Sequence, residues 1–270
     1  NRTYQDLLKN KFDEHNFEQL STSAIFKVSI DGSVKKWMDD GMYRTISFSP
    51  NGEYVMISQI NKPFSYLVTY SRFPTQTNVY SKDGNFISNL LNVPLIEELP
   101  KGFMSVRTGK RSFSWRPDKG ASLTYVTALD SGDPSKKVDF RDEVYELSYP
   151  FLGQGKFIIK TINRFSGIDW GTKDMAIAYD TWWNTRNRKS YVFNPSNPNI
   201  KPKIISDRNY QDTYSDPGVF LRSRNEFNRS VLKMHYGNVF LRGQGFSPNG
   251  QFPFIDKVNT KTFEKTRVYQ

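Results

Sequence analysis

No cysteine occurs in the 270 residues, so neither a disulfide framework nor a thiolate metal site can form. Histidine is almost as scarce. Of the two present, His15 lies in a polar stretch and His235 in Lys233-Met234-His235-Tyr236-Gly237, without the His-x-x-x-His spacing of a zinc pair. Both read as surface or packing residues. No run approaches the roughly 18 to 20 apolar residues that a membrane-spanning helix needs, and Asn1 to Phe12 lacks the apolar core of a signal peptide. A mature secreted protein would begin the same way, and the lack of cysteine suits the bacterial cytosol and periplasm alike; a periplasmic or secreted home is the expectation over a cytoplasmic one. Nucleotide-binding fingerprints of the Gly-x-x-x-x-Gly-Lys-Ser/Thr and Gly-x-Gly-x-x-Gly kinds are missing. So is the Gly-x-Ser-x-Gly elbow of α/β-hydrolases. The nearest approaches, Gly120-Ala121-Ser122-Leu123-Thr124 and Gly245-Phe246-Ser247-Pro248-Asn249, lack the second glycine and sit in hairpin turns. The chain is expected to carry no catalytic residue, no metal and no cofactor.

Acidic residues are in deficit, with 27 Asp and Glu against 38 Lys and Arg, a net charge of +11 and a pI near 9.6. Apart from Arg107-Lys110-Arg111-Arg116 and Arg186-Arg188-Lys189, the basic residues are scattered through strands and turns rather than gathered in a stripe. Without a recognition motif this excess describes a solvated basic surface, and nucleic acid is not an expected partner.

Aromatics, by contrast, are plentiful: 21 Phe, 15 Tyr and 5 Trp, a weighting that suits pleated, half-buried sheets. One phrase recurs along the chain, an apolar alternation followed by a Pro-Asn/Asp-Gly turn or a degenerate form of it. It reads Ile46-Ser47-Phe48-Ser49-Pro50-Asn51-Gly52, Phe113-Ser114-Trp115-Arg116-Pro117-Asp118-Lys119-Gly120, weakly Ile168-Asp169-Trp170-Gly171-Thr172-Lys173-Asp174, and Phe246-Ser247-Pro248-Asn249-Gly250. Proline presets φ, Asn or Asp bonds its own backbone and glycine takes the positive φ, so each copy predicts strand, tight turn and returning strand. The aromatics Phe48, Trp115, Trp170 and Phe246 stand 67, 55 and 76 residues apart, room for one four-stranded sheet plus insertions. That is the unit of a β-propeller.

The predicted class is all-β, with about four blades of four antiparallel strands over 23–270, an incomplete arc of a seven- or eight-bladed ring. Residues 1–22 form an arm or short helix. Blade strands are expected near 43–48, 53–61, 76–81 and 86–91; near 111–116, 122–129, 143–149 and 157–162; near 165–170, 174–181, 189–194 and 202–206; and over 219–269. Residues 25–30 and 34–37, around Asp31-Gly32, read as an outer hairpin of an earlier blade. The chain stops at Val268-Tyr269-Gln270 inside a strand pattern, so a larger protein is expected.

Two groups of side chains can carry chemistry. Asp130 and Asp133, Asp139, Asp142 and Glu143, and Glu97-Glu98 can bind a metal or a peptide amino group, but they supply turn chemistry and solubility equally well. Arg107 and Arg111, flanking Thr108-Gly109, and Arg186 after Trp182-Trp183 are the candidate substrate contacts. A planar guanidinium pairs bidentately with a carboxylate, although the same arginines can stack on aromatic rings and brace one blade against the next.

Longer strings are more specific than the blade phrase. They include Asp6-Leu7-Leu8-Lys9-Asn10, Pro63-Phe64-Ser65-Tyr66-Leu67-Val68, Ser71-Arg72-Phe73-Pro74, Val106 to Arg116, Gly132-Asp133-Pro134, Arg164-Phe165-Ser166-Gly167-Ile168-Asp169-Trp170-Gly171, Tyr214-Ser215-Asp216-Pro217-Gly218 and Gly243 to Gly250. With these strings, nearly the whole chain resembles the propeller of the prolyl oligopeptidase class of serine peptidases, in the branch of the glutamyl endopeptidases. The resemblance implies a two-domain enzyme whose propeller gates and positions peptide substrates, with a preference for acidic residues, over a C-terminal α/β-hydrolase domain bearing Ser, Asp and His. No position here matches one of those three, so none is carried over. The alternative is a free-standing propeller that binds a protein or glycan without catalysis.

Overall fold

The structure is a computed structural model in which residues 4–270 are described. It divides into two compact units, one running to Leu99 together with Leu147–Gly155, the other comprising Pro100–Glu146 and Lys156–Gln270.

The first unit opens with helix α1 (Lys11–Ser21). The Asn10 side chain accepts from the Phe12 and Asp13 amides at 2.9 and 3.0 Å, and Asp13 and Glu14 place negative charge in the first turn. Phe17 brings the helix onto the sheet, edge-on to Phe64 at 5.2 Å and Phe73 at 5.7 Å, in a cluster with Ile60, Val68 and Leu8. The sheet holds β1 (Ser23–Val28), β2 (Val34–Phe48), β3 (Tyr54–Ile60), β4 (Thr75–Ser81) and β5 (Phe86–Val93), antiparallel and in chain order. Here the outer hairpin expected of an earlier blade is corrected. Strand β2 runs unbroken for 15 residues, pairing first with β1 as far as Gly41 and then with β3 from Met42. Backbone partners are available on both sides of the changeover, so the chain needs no turn there. Tyr54 packs between Tyr149 and Phe151 at 5.6 and 5.4 Å.

Among the described residues the second unit contains two short two-stranded sheets, Arg222–Arg224 with Ser230–Leu232 and Phe246–Ser247 with Gly250–Gln251, and three larger ones. One is β6 (Arg111–Trp115), β7 (Ser122–Ala128), β8 (Asp142–Ser148) and β9 (Lys156–Thr161), with the β8–β9 tip grouped in the first unit. The next is β10 (Arg164–Thr172), β11 (Met175–Trp182), β12 (Asn187–Phe193) and β13 (Lys203–Asn209). The last runs Val219–Phe220, Asn238–Gly243, Phe254–Asn259 and Lys265–Tyr269, with Met234–His235 added beside Asn238–Gly243. Successive up-and-down sheets of this kind are β-propeller blades, and the fold is all-β as the pattern predicted.

The period of two in β11 explains how blades stack. Ala176 and Ala178 face a cluster with Val126, Val144, Ile158 and Ile159, while Met175 and Ile177 face Leu232, Val239, Leu241 and Val258. In its first two copies the repeated turn phrase adds a buried polar anchor. In its first copy Ser49 is fully buried, and its Oγ accepts from the Tyr54 amide at 3.0 Å and donates to Asn51 at 2.7 Å. In its second copy Arg116 takes that place, equally buried. It donates to both Asp118 oxygens at 3.1 and 2.7 Å and to Glu146 Oε2 at 2.8 Å, and its guanidinium lies 3.8 Å over the Trp170 ring of the next blade. Burial pushes the Glu146 carboxyl up, but the bonds from Lys119 and Ser122 and the charge of Arg116 outweigh it and hold the group below its ordinary range.

Candidate functional site

In the second unit, β6, β8, β10 and β12 begin, and β7, β9, β11 and β13 end, at one end of the blades. There the loops 101–110 and 129–141 meet the 183–186 turn between β11 and β12. Two carboxylates organise this end from within. Asp130 and Asp142 are 1% and 0% exposed. Arg164 binds both, Nη2 to Asp130 Oδ2 at 2.7 Å and Nη1 to Asp142 Oδ1 at 3.1 Å. Asp130 also receives Arg141 Nη1 at 2.8 Å and the Gly132 amide at 2.9 Å. Asp142 receives the Phe165 amide at 2.8 Å. The remaining donor of Arg164, Nε, reaches the Met104 carbonyl at 2.8 Å, and Arg141 lies 3.9 Å over the Trp182 ring. A buried charge survives only when paired and hydrogen-bonded. These four charges therefore fix the Met104 loop and the Trp182-Trp183 turn relative to one another.

The three arginines singled out from the sequence occupy different settings at this end. Arg111 is almost buried, and its Nη2 lies 2.5 Å from Asp142 Oδ1. Arg107 donates from Nη1 to the Thr108 carbonyl at 3.0 Å and from Nη2 to the Lys110 carbonyl. Burial, and then the charge of Arg111, lower its pKa. Arg186 sits on the β11–β12 turn, 3.8 Å over the Trp183 ring, with Nη1 on the Trp183 carbonyl at 2.6 Å. Arg107 and Arg111 are thus neighbours that repel one another, while Arg186 belongs to a separate hairpin.

Register brings forward a fourth arginine. Arg164, Thr181, Arg188 and Arg208 are directly opposed across β10, β11, β12 and β13. Like charges facing one another across a ladder destabilise it unless an anion intervenes. Arg164 has Asp130 and Asp142, and Arg208 has Asp216 at 3.1 Å. Arg188 pairs with no carboxylate among the described residues; its guanidinium lies 4.9 Å over Tyr179. The nearby Asp169 is engaged by the Tyr179 hydroxyl at 2.8 Å and by Arg222. Arg188 lines an open cleft of 290 Å³ with Met104, Thr181, Trp183 and Tyr210. In the sequence Arg188 is one member of a basic cluster. Only pairing β11 with β12, which sets Thr181 opposite it, distinguishes it from Arg186.

One residue before Thr181 on β11, Asp180 accepts from the Asn163 amide at 2.8 Å, Asn163 Nδ2 at 3.0 Å, the Lys189 amide at 3.2 Å and the Tyr191 hydroxyl at 2.5 Å. Burial nevertheless leaves its carboxyl raised above the usual Asp value. Among the described residues no three His, Asp or Glu side chains are grouped to hold a metal, and no helix is long and apolar enough to cross a membrane.

No protein-family profile matches the chain. Two relatives match it along its whole length: the "Probable glutamyl endopeptidase, chloroplastic" of Oryza sativa subsp. japonica at 38% identity, and that of Arabidopsis thaliana at 33%. The chain spans 29% of the length of each. Among solved structures, a Pyrococcus horikoshii acylaminoacyl peptidase aligns over 92% of this chain and 35% of its own at 12% identity, with a TM-score of 0.46. The β-propeller domain of the Trilobed protease from Pyrococcus furiosus aligns over 84% and 58% at 11% identity, with a TM-score of 0.44. Both structural likenesses are loose, and the assignment rests on the two full-length sequence matches. With that sequence kinship and its succession of antiparallel four- and five-stranded sheets, the chain is a β-propeller portion akin to the probable glutamyl endopeptidases.

Proposed function

We propose that the chain gates and positions peptides for the serine peptidase of which it is the propeller, and that it favours segments carrying an acidic residue. The acidic preference is carried by one observation: in the row Arg164, Arg188 and Arg208, the two outer arginines have carboxylates and Arg188, in the wall of an open cleft, has none among the described residues. A glutamate side chain entering the cleft supplies that anion in bidentate geometry. A hydrogen-bonded contact to a charged group of this kind contributes about 1.5–3 kcal/mol. Arg186 stands beside the cleft on Trp183 as a second contact, and Arg107 adds positive potential from the neighbouring loop, whereas the charge of Arg111 is paired with Asp142. The names of the two plant relatives agree with this preference. Bond cleavage belongs to a partner α/β-hydrolase domain of the same protein, with the propeller restricting access to it. The coding sequence beyond Gln270 is therefore expected to contain Gly-x-Ser-x-Gly followed by Asp and then His.

The test is Arg188→Gln in the full-length protein, assayed on peptide pairs that differ only as Glu or Gln. The expected result is a loss of kcat/KM of about 10- to 150-fold on the Glu peptide relative to the Gln peptide. Equal losses on both peptides would leave Arg188 a structural residue and remove the basis for the acidic preference.

A further inference from the structure

Beside Arg188 the cleft wall continues into two rings that the blades hold in water. Phe103 is 82% exposed and Trp183 43% exposed, and their centroids lie 5.5 Å apart with the planes tilted by 40°. Neither ring rides on a slack loop. Phe103 occupies a turn in which the Ser105 amide and hydroxyl both bond the Gly102 carbonyl, at 3.3 and 2.9 Å. The next residue, Met104, is tied through its carbonyl to buried Arg164, and the Val106 amide bonds the Gly132 carbonyl at 3.1 Å. Trp183 is fixed from the other side, with the Arg186 guanidinium stacked on its ring and bonded to its carbonyl, while its neighbour Trp182 is held under Arg141. Two large apolar rings brought together from distant parts of the chain, ordered by backbone bonds and left uncovered, lose hydrophobic stabilisation without gaining a core contact. That cost is met when a ligand covers them.

We infer that Phe103 and Trp183 form a subsite for an aromatic or bulky apolar side chain adjacent to the acidic residue, so that the preferred substrate is a peptide pairing Glu with a neighbouring aromatic. The inference rests on the acidic reading of Arg188 and deepens it. Charge complementarity commits the cleft to an anionic occupant at Arg188, and a peptide is the occupant in which a carboxylate and an apolar side chain stand a few ångströms apart on one backbone. Stacking against a preformed aromatic pair and a guanidinium already in place gives this subsite geometric selectivity.

The experiment uses the full-length protein and four peptides, with Glu or Gln at one position and Phe or Ala at the next. The native protein is expected to prefer Phe over Ala in the Glu background. Phe103→Ala should lower that Phe/Ala ratio of kcat/KM by about three- to tenfold, mainly through KM, while keeping the Glu/Gln ratio. Phe103→Tyr, which preserves the ring, should restore the Phe/Ala ratio. Arg188→Gln should do the converse, reducing Glu/Gln discrimination and retaining Phe/Ala discrimination. A Phe/Ala ratio unmoved by Phe103→Ala overturns the subsite while leaving the role of Arg188 standing; a Glu/Gln ratio unmoved by Arg188→Gln overturns the acidic reading itself.

Discussion

Replacing Arg116 with methionine tests the claim that the second copy of the turn phrase fastens one blade to the next. The substitution keeps an unbranched apolar stem against Trp170 but removes the guanidinium from Glu146 and Asp118, whose side chains are 5% and 8% exposed. Leaving buried Asp118 without its partner, and Glu146 with only Lys119 and Ser122, costs about 3–5 kcal/mol. For a unit of this size, each kcal/mol moves Tm by about 2–4 °C, so the melting temperature should fall by roughly 6–20 °C. Thermal unfolding followed by near-ultraviolet circular dichroism reads this directly. A second variant separates charge from packing: Arg116→Met with Asp118→Asn should recover part of the loss, because the carboxylate left without its partner is gone. The effect also has a pH signature. The Glu146 pKa is depressed in the folded state, so its stabilising contribution is present above the ordinary Glu value near 4.3 and is lost as pH falls through the lower folded value. The gap between native protein and Arg116→Met should therefore narrow on acidification below about pH 4.3. A loss under about 1 kcal/mol, the size of a surface pair, or a gap independent of pH would refute the reasoning.

Three other outcomes are expected. Gly132→Ala should detach the Met104 loop, since Gly132 has φ +76° and an added Cβ would lie 1.9 Å from the Val106 carbonyl oxygen; peptide KM should rise and proteolysis within 101–110 should quicken. Asp180→Asn should cost about 1–3 kcal/mol at neutral pH, because an amide nitrogen would face donors that now bond the carboxylate. With its folded pKa raised, native Asp180 penalises stability as pH climbs from the unfolded value through the folded one, so the variant should lack that part of the pH dependence in urea melts. Arg111→Ala should lower stability through loss of its pairing with Asp142 while leaving the Glu/Gln selectivity ratio in place; a selective loss on Glu peptides would instead move Arg111 into the binding site.

The blade strands were legible because their signals are local. In β11, Met175 to Ala178 show the alternation on which blade stacking depends, and the Pro-Asn-Gly and Pro-Asp-Lys-Gly turns carry their φ preferences in three or four residues. The exception is β2: Asp31-Gly32 is a turn, but the strand that follows it does not stop near Trp37 and runs on through Gly41 to Phe48, so the hairpin shares a strand with the first sheet. At the site, Arg186 could be singled out from its place after Trp182-Trp183. Arg188 could not, since its meaning comes from Thr181 and Arg208 lying opposite it.

By itself the sequence determined the all-β class, the turns, the kinship with the glutamyl endopeptidase-like branch and the absence of thiol chemistry, because each depends on residues adjacent in the chain or on strings long enough to compare. Which charges are paired with carboxylates inside the fold and which are not, among the described residues, was decided by tertiary structure alone. Arg111, Arg116, Arg164 and Arg188 read alike in one dimension. Register and blade contact bury the first three against Asp142, Glu146, Asp118 and Asp130 and leave the fourth facing an open cleft, and the energy of a charge depends on what stands within a few ångströms of it rather than on its neighbours in sequence.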